Sequence, residues 1–400
     1  MTDTTPPNAS ADAAPKGQPG PVGGRPDAPT KRNRVRSKAS SMADMLVGSV
    51  LADRYKLLHR IGEGAMGWVF LAEHVEIGKK VAIKVLRPSL CRLPEAVSRF
   101  RREARSATQI GSKHIVDVTD FGTTETGSVY FVMENLEGED LSAALKKEKY
   151  LPWKRVVHIL QQLCEALQAA HDVGIIHRDV KPANFFRVEF GGDPDFIKIL
   201  DFGIARLANP QDSIVTQTGV VMGTPDFMAP EQAMGKHVDH RADIYSLGAS
   251  AYALLTGRPP FEGANEYDVI YKQLNDDPDP PSEVAPVAAR VPKWLDTIIL
   301  RSLRKNPDDR YDSMREMAEA LDKGLEGGEV PEPASVTKTG RNKTGRFKTG
   351  RNKVKPSRTR TEPHATGIEP AAAGLSPVAW FVLVAAALVA ASVGYVVLGG

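Results

Sequence analysis

Cysteine is scarce in this sequence. The 400 residues include only Cys91 and Cys164, too few for a disulfide framework and too far apart for the close spacing of a metal site. This scarcity argues against a small secreted protein held together by disulfides and favours a reducing, cytosolic setting. We expect both side chains to be packed rather than catalytic.

The N-terminal region lacks the apolar run of a signal peptide. Its first 44 residues are instead rich in Pro, Ala, Gly and Ser, a composition that does not support a core. The sequence therefore predicts a disordered, basic N-terminal tail over residues 1–50. A basic cluster at residues 31–38 could contact nucleic acid or lipid, but a solvated tail is the favoured interpretation.

Charge is absent from residues 378–398, which form an apolar run. About 20 apolar residues are what a helix needs to cross a bilayer, so a single transmembrane helix is predicted. Trp380 and Tyr395 lie near its two ends, where interfacial aromatics are found. A buried core helix is the alternative. A face of small residues, Ala386, Ala390 and Gly394, could pair two such spans into a homodimer.

Acidic residues are also missing between Lys338 and Arg360, a stretch with ten Lys and Arg. Residues 322–376 are predicted to be a basic, low-complexity juxtamembrane linker. Positive charge keeps its side of a span in the cytoplasm, so we expect a tail anchor with everything before it cytoplasmic. Phosphorylation of the K-T-G-R repeats at Thr339, Thr344 or Thr349 would weaken attraction to an anionic leaflet; a passive stop-transfer cluster is the favoured alternative.

The segment between these tails, residues 55–321, changes its periodicity part-way along. Its first third has β-rich runs at 68–72, 80–86 and 129–133 with one helical stripe between them, which predicts a small sheet-built lobe. Beyond Asp140 the pattern is helical, including a stripe from Val156 to Ala170 and a nearly all-apolar run at 244–255 that predicts a buried helix. The fold class is therefore α+β.

A glycine-rich motif at residues 61–69 lies between two strand-like runs and overlaps the second of them, 68–72. It fits G-x-G-x-x-G-x-V, in which glycines let a backbone hairpin approach phosphates closely. A dinucleotide-binding turn would require a helix next, whereas another strand-like run follows here. The candidate nucleotide-binding residues are Ile61, Gly62, Glu63, Gly64, Ala65, Met66, Gly67, Trp68 and Val69.

Lys84 lies in the strand-like V-A-I-K segment two residues after Ala82, so strand alternation places both side chains on the same side. Its ammonium can pair with the α- and β-phosphates of a nucleotide. Glu103, on the following predicted helix, is the expected carboxylate partner of Lys84. Glu95 is a less well-placed competitor, and a solvated surface glutamate is the alternative role for Glu103.

Two further motifs, H-R-D-x-x-x-x-N and D-F-G, follow at the spacing that phosphoryl transfer from ATP requires. Asp179 is the predicted base that receives the proton of a substrate hydroxyl, and Lys181 is predicted to contact the γ-phosphate. Asn184 and Asp201 carry the oxygen ligands that Mg²⁺ prefers, with Mn²⁺ as an alternative. His177 is expected to be a packed structural residue.

With these motifs in this order, the sequence resembles the Hanks-type, eukaryotic-like serine/threonine protein kinases, and is most similar to the membrane-anchored bacterial ones. The resemblance covers residues 55–321. It implies a bilobal fold with a small β-rich N-lobe and a larger helical C-lobe, ATP and Mg²⁺ as cofactors, and protein substrates with Ser or Thr hydroxyls. It also implies a single-pass protein of the bacterial inner membrane, while nucleic acid is not an expected partner.

The resemblance further implies roles for residues outside these motifs. Met133 would be the gatekeeper, and the backbones of Glu134 and Leu136 would bind adenine. Glu231 and Arg310 would form a buried structural ion pair.

The segment after D-F-G carries the specificity and activation features that the resemblance implies. Thr224 matches the threonine that faces substrate in serine/threonine kinases and argues against tyrosine specificity. Autophosphorylation is expected at Thr216 and Thr218, with Ser213 as a further candidate, and the phosphate would pair with Arg178.

Two departures from the family pattern leave the catalytic groups intact: the bulky Trp68 and the aromatic pair Phe185–Phe186. A pseudokinase scaffold is the rival hypothesis from another functional class, but such proteins usually lack one of three groups that are present here, Lys84, Asp179 and Asp201. Nucleic-acid binding by the basic tails is a third interpretation, weakened because no aromatic residues interleave with the charges.

Overall fold

The computed structural model of the protein describes residues 43–124, 127–201, 225–328 and 330. The predicted span 378–398, the K-T-G-R repeats and the predicted autophosphorylation sites lie outside these residues. Within the described residues, no helix combines the length and apolarity needed to cross a bilayer.

The N-lobe is built on a six-stranded antiparallel sheet with the order β1-β2-β3-β4-β6-β5. Alternation along the third strand buries Trp68, Phe70 and Ala72 on one face, where they pack with side chains of neighbouring strands. The strands are β1 Val50–Leu51, β2 Tyr55–Glu63, β3 Gly67–His74, β4 Lys80–Leu86, β5 Val118–Thr123 and β6 Val129–Glu134.

The ordered N-lobe begins earlier than the sequence predicts. Ala43 is fully buried, and Leu46 packs against the same cluster of sheet residues. Strand β1 then pairs with β2, which places Leu51 in the core. The predicted disordered tail of residues 1–50 is therefore too long at its C-terminal end, because apolar side chains within 43–50 complete the edge of the sheet.

Two helices connect β4 to β5, α1 Pro88–Cys91 and α2 Pro94–Ile110. Helix α2 begins with a proline in its first turn and ends at Gly111, which adopts the left-handed conformation (φ 65°) favoured at helix C-termini. Phe100 on its inner face contacts Phe131 of β6 with ring centroids 4.8 Å apart. Helix α2 is thus fixed to the sheet by apolar packing.

The C-lobe is mainly helical. A three-stranded antiparallel sheet, ordered β7-β8-β9, lies at its top. The elements are β7 Gly138–Asp140, α3 Leu141–Glu148, α4 Trp153–Asp172, β8 Phe185–Phe190, β9 Asp193–Ile199, α5 Pro230–Ala233, α6 Arg241–Thr256, α7 Glu266–Asn275, α8 Pro281–Val284, α9 Lys293–Ser302 and α10 Met314–Leu325.

Helices α4 and α6 form the centre of this lobe. The predicted stripe from Val156 to Ala170 is buried along α4, and α6 is buried from Ala242 to Leu255, as its all-apolar pattern predicts. The predicted bilobal α+β fold is confirmed.

The two lobes meet through short backbone contacts beside β9. Val116 donates its N–H to the carbonyl of Ile199 at 3.1 Å, and Ile199 donates to the carbonyl of His114 at 2.8 Å. Lys198 adds an ion pair with Glu134, 2.7 Å apart. These contacts hold the end of β9, and therefore Asp201, directly beneath the N-lobe sheet.

Candidate active site

A cavity of about 200 Å³ lies between the N-lobe sheet and the small sheet of the C-lobe. Six of the predicted nucleotide-binding residues line it: Ile61, Gly62, Val69, Ala82, Glu134 and Leu136. Its walls are mostly apolar, with carboxylates at one end from Glu103 and Asp201. An enclosed apolar slot with a polar end is suited to a flat heterocycle that carries an anionic group.

The predicted loop residues do not all reach this cavity. Trp68 is 1% exposed in the sheet core, because its neighbour Val69 takes the face toward the cleft and strand alternation turns Trp68 away. Met66 packs against the cluster around Phe100, and Glu63 pairs with Arg60 and Arg87. The structure therefore places the side chains of Trp68, Met66 and Glu63 away from the cavity lining.

The glycines of the motif serve different purposes. A Cβ on Gly67 would lie 2.1 Å from the carbonyl oxygen of Val85 on the neighbouring strand, whereas a Cβ on Gly64 would meet nothing within 4 Å. Gly67 is therefore required by packing between strands β3 and β4. No close contact within the described protein explains Gly64 or Gly62, whose Cβ would lie no nearer than 3.5 Å to Val69, so the approach of a ligand is the remaining explanation for both.

Lys84 lies between two carboxylates at the inner end of the cavity. Its Nζ is 2.7 Å from Glu103 Oε1 and 2.6 Å from Asp201 Oδ1. Glu103 reaches it from α2, and Glu95, the competitor, is instead 3.9 Å from Arg99. The structure thus brings together a strand lysine, a helix glutamate and the aspartate of D-F-G.

The charges in this group depend on one another. Burial would lower the pKa of Lys84, but Asp201 and Glu103 outweigh it and raise the pKa, so the ammonium remains charged. Burial raises the pKa of Glu103 to about 7, against the opposing effect of Lys84. Desolvation would raise the pKa of Asp201 as well, yet the nearby Lys84 ammonium lowers it. The shared cation therefore favours ionisation of Asp201 over Glu103.

Asp179 lies in a compact hydrogen-bonded loop on the C-lobe side of the cleft. Lys181 Nζ is 2.8 Å from its Oδ2, and Asn184 Nδ2 donates to its backbone carbonyl at 2.7 Å. Asp179 N–H donates to His177 Nδ1 at 3.2 Å. Burial lowers the pKa of the fully buried His177, which fits the predicted structural role because a neutral ring can accept that hydrogen bond.

The residue that holds this loop in place, Asp243, was not assigned a role from the sequence. Its carboxylate accepts hydrogen bonds from the backbone N–H groups of His177 (2.8 Å) and Arg178 (2.7 Å) and from His171 Nε2 (2.8 Å). Arg178 has φ 61°, a left-handed conformation that is costly for a residue with a side chain. A lone Asp at the start of an apolar helix is the signal that could have identified this anchor.

Asn184 and Asp201 lie side by side, because the N–H of Leu200 donates to the carbonyl of Asn184 at 2.8 Å. The amide nitrogen of Asn184 is used toward Asp179, so its Oδ1 is the atom available as a ligand. Two hard oxygen donors fit Mg²⁺, which usually keeps waters and substrate phosphates as its other ligands. The described residues contain no cluster of three or more His, Cys, Asp or Glu able to hold a metal.

Part of the apolar lining was not assigned from the sequence. Phe186 and Leu200 contribute from the C-lobe and Phe131 from the sheet, beside the expected gatekeeper Met133. Phe186 is the second residue of β8, and strand alternation turns it to the face opposite Phe185, a signal that the sequence could have provided. Its partner Phe185 is fully buried in the C-lobe core instead.

The ion pair that the resemblance implies is present deep in the C-lobe. Arg310 and Glu231 form two hydrogen bonds of 2.7 Å, and their side chains are 0% and 7% exposed. The next residue, Gln232, donates to the carbonyl of Arg178 at 3.1 Å. The pair thus fixes the short helix α5, which in turn contacts the loop that carries Asp179.

Comparison with known proteins agrees with this geometry. Residues 55–321 match the protein kinase domain family. The chain is 46% identical over 286 residues to the serine/threonine-protein kinase Pkn1 of Myxococcus xanthus, covering 70% of this chain and 40% of that protein. It is 41% identical over 298 residues to the serine/threonine-protein kinase PknB of Mycobacterium tuberculosis, covering 73% and 46%. The chain thus spans less than half the length of these relatives.

Solved structures give the same result. A crystal structure of the Mycobacterium tuberculosis PknI kinase domain is 30% identical, with a TM-score of 0.53, covering 70% of this chain and 98% of that domain. A second crystal structure of the same domain gives 30% identity and a TM-score of 0.52, covering 69% and 97%. Because the family match extends over more than half of the sequence and the expected cleft is present, the chain belongs to the protein kinase family.

Proposed function

We propose that this protein is a serine/threonine protein kinase that transfers the γ-phosphoryl group of ATP to hydroxyls of protein substrates. The observation that carries the proposal is the convergence of Lys84, Glu103 and Asp201 at one end of the adenine-sized cavity, with Asp179 on the adjoining loop. The names of the relatives, all serine/threonine-protein kinases, support the choice of hydroxyl substrate.

The residues divide the work between binding and proton transfer. The ammonium of Lys84, held by Glu103, provides positive charge for the nucleotide phosphates. Asp179 orients the substrate hydroxyl and accepts its proton, while Lys181, 2.8 Å away, provides charge for the group being transferred. Asn184 and Asp201 would hold Mg²⁺, which neutralises charge on the phosphates when bound.

The test is transfer of ³²P from Mg-ATP to the protein itself and to a generic basic protein substrate. We expect Asp179→Asn and Lys84→Met to abolish transfer, because each removes one charged group from the cleft. Circular dichroism of both variants controls for folding. Wild-type protein that binds nucleotide but transfers nothing would refute the proposal and favour a pseudokinase scaffold.

Autophosphorylation at Thr216 and Thr218 is a second part of the proposal. The supporting observation is Arg178, whose Nε is buried without a hydrogen-bond partner among the described residues and whose pKa is lowered by burial. A phosphate on Thr216 or Thr218 would supply the guanidinium of Arg178 with a counter-charge. Mass spectrometry after incubation with Mg-ATP should find these threonines modified; an active enzyme with both unmodified would contradict this part.

Tethering to the cytoplasmic face of a membrane is the third part. It is supported by the uncharged run 378–398 and the basic stretch from Lys338 to Arg360. Full-length protein expressed in bacteria should remain in the membrane pellet after alkaline carbonate extraction. A version that ends at residue 376 should be released, and equal release of both would contradict the anchor.

A further inference from the structure

We propose that the outer face of helix α2 binds a phosphorylated segment of a partner protein. Four arginines, Arg92, Arg101, Arg102 and Arg105, line a cavity of about 480 Å³ beside α1 and α2, and no Asp or Glu lines it. This inference goes beyond phosphoryl transfer and concerns a surface on the other side of α2 from the active site.

The four arginines have no carboxylate partner among the residues that the structure describes. All four are exposed, and within the described residues none forms an ion pair. Arg101 and Arg105 are one helical turn apart, an i, i+4 arrangement in which like charges destabilise a helix. Since the cluster does not stabilise the helix it lies on, an external anion is the natural counterpart.

The shape of the surface favours a peptide over a flat anionic surface. A second cavity of about 310 Å³ shares Arg101 and Arg105 and continues toward β5, with Val118 and Phe121 as apolar lining. The guanidinium of Arg101 lies over the Phe121 ring, 5.4 Å from its centroid. The one carboxylate here, Asp120, already pairs with an arginine of the β1–β2 connection at 2.8 Å.

The chemistry of the cations favours phosphate. All four are arginine, whose planar fork binds phosphate oxygens in pairs, whereas a lysine acts as a point charge. Ser98 lies in the same cavity one turn before Arg101 and Arg102 and adds a hydroxyl donor. A phosphothreonine with a neighbouring apolar side chain would use both the arginines and the apolar lining.

Occupancy of this groove would act on the active site through a single helix. The outward residues Arg102 and Arg105 flank Glu103, whose buried carboxylate is 2.7 Å from Lys84. An occupant that fixes the outer face of α2 therefore also fixes the position of Glu103. Binding at either site should influence the other to the same extent.

The experiment measures binding of two fluorescent peptide libraries that differ only in a central phosphothreonine or threonine. Phosphatase-treated full-length protein is titrated and the fluorescence anisotropy followed. We expect the phosphothreonine library to bind at least about tenfold more tightly, which corresponds to one charge-assisted hydrogen bond. The charge reversal Arg102→Glu/Arg105→Glu should abolish that preference, with a circular dichroism spectrum like that of the wild type.

A matched control carries the same change of charge elsewhere. Lys154→Glu/Arg290→Glu reverses two exposed cations of the C-lobe and should keep wild-type affinity. The thiol of Cys91 lines the groove and can report on its occupancy. The other cysteine of the chain, Cys164, is 1% exposed, so alkylation of the folded protein should occur at Cys91. The bound phosphopeptide should slow alkylation of Cys91.

Three results would overturn the inference: equal binding of the two libraries, unchanged preference in the arginine reversal, or binding of phosphatidylglycerol vesicles that is lost in the arginine reversal while neither peptide library binds. Complete displacement by millimolar inorganic phosphate would likewise reduce the groove to a non-specific anion site. None of these measurements requires phosphoryl transfer, so the proposed kinase activity can fail or hold independently of them.

Discussion

Removal of one partner from the buried Arg310–Glu231 pair should destabilise the C-lobe severely. All five N–H donors of Arg310 are used: two bond to Glu231, and the other three donate to the carbonyls of Arg304, Arg241 and Lys305 at 2.8, 2.9 and 3.1 Å. Glu231→Leu leaves a buried cation without its counter-charge, which costs about 3–5 kcal/mol. That is a large share of the roughly 5–15 kcal/mol typical of a folded domain.

The double variant Glu231→Leu/Arg310→Met separates the charge from the packing. Replacing both members of a buried pair by apolar groups is often close to neutral, but here three carbonyls would also lose a donor. We therefore expect the double variant to be less stable than wild type, yet more stable than the sum of the two single changes predicts. The interaction free energy should be about 2 kcal/mol or more.

The assay is thermal unfolding, under one set of conditions, of the wild type, Glu231→Leu, Arg310→Met, the double variant and a further variant, Glu231→Gln. Each single variant should lower Tm by about 6–20 °C, from the free-energy cost and the usual sensitivity of a domain this large. Glu231→Gln, which keeps a hydrogen-bond acceptor, should lower it less than Glu231→Leu. Strictly additive losses in the double variant would refute the reasoning, because the two residues would then contribute independently.

Three other changes test separate parts of the structure. Asp243→Asn should lower kcat strongly and change the KM for ATP little, because its amide nitrogen would face a backbone N–H that donates to the carboxylate in the wild type. A rise in KM with kcat unchanged would contradict a positioning role. Gly67→Ala should lower Tm, since the added Cβ would lie 2.1 Å from a backbone oxygen. Gly64→Ala should leave Tm unchanged and alter only ATP binding, because its Cβ would meet nothing within 4 Å. Equal Tm values for the two variants would contradict the packing argument. Burial lowers the pKa of Lys305 from an ordinary 10.5 to about 8. The unfolded chain therefore binds this proton more tightly than the folded protein does, so the free energy of unfolding should rise between pH 8 and pH 10.5. Lys305→Met should remove that rise, and a pH profile of urea unfolding that is the same in the variant and the wild type would contradict the argument.

Local sequence patterns predict much of this fold because they act within one element. The alternation around Lys84 places it on a strand, and the apolar run at 244–255 predicts the buried helix α6. Such patterns reflect burial directly, since a fully apolar helix has no face that water would favour. The motifs then predict which side chains gather at the cleft, including the Lys84–Glu103 contact across 19 residues.

Contacts between distant elements are where the sequence falls short. Trp68 was assigned to the nucleotide site because it lies within the glycine motif, although strand alternation turns it into the sheet core. Asp243 was given no role because its partners, the N–H groups of His177 and Arg178, are 66 and 65 residues away and carry no side-chain signal. Backbone donors are present in nearly every residue, so no composition or spacing marks the ones that need an anchor.

Helix α2 connects the active-site cleft with the proposed phosphopeptide groove. Its inner face supplies Glu103 to Lys84, and its outer face carries arginines without carboxylate partners among the described residues. Apolar packing of Phe100 fixes the helix to the sheet, and Glu103 on the inner face is buried and paired with Lys84, whereas the arginines of the groove on the outer face are exposed. Since Lys84 is shared between Glu103 and Asp201, any ligand that shifts α2 changes how that single cation is divided. The position of one helix therefore sets the charge available to the nucleotide phosphates, which is why an anion on its outer face would have consequences for catalysis.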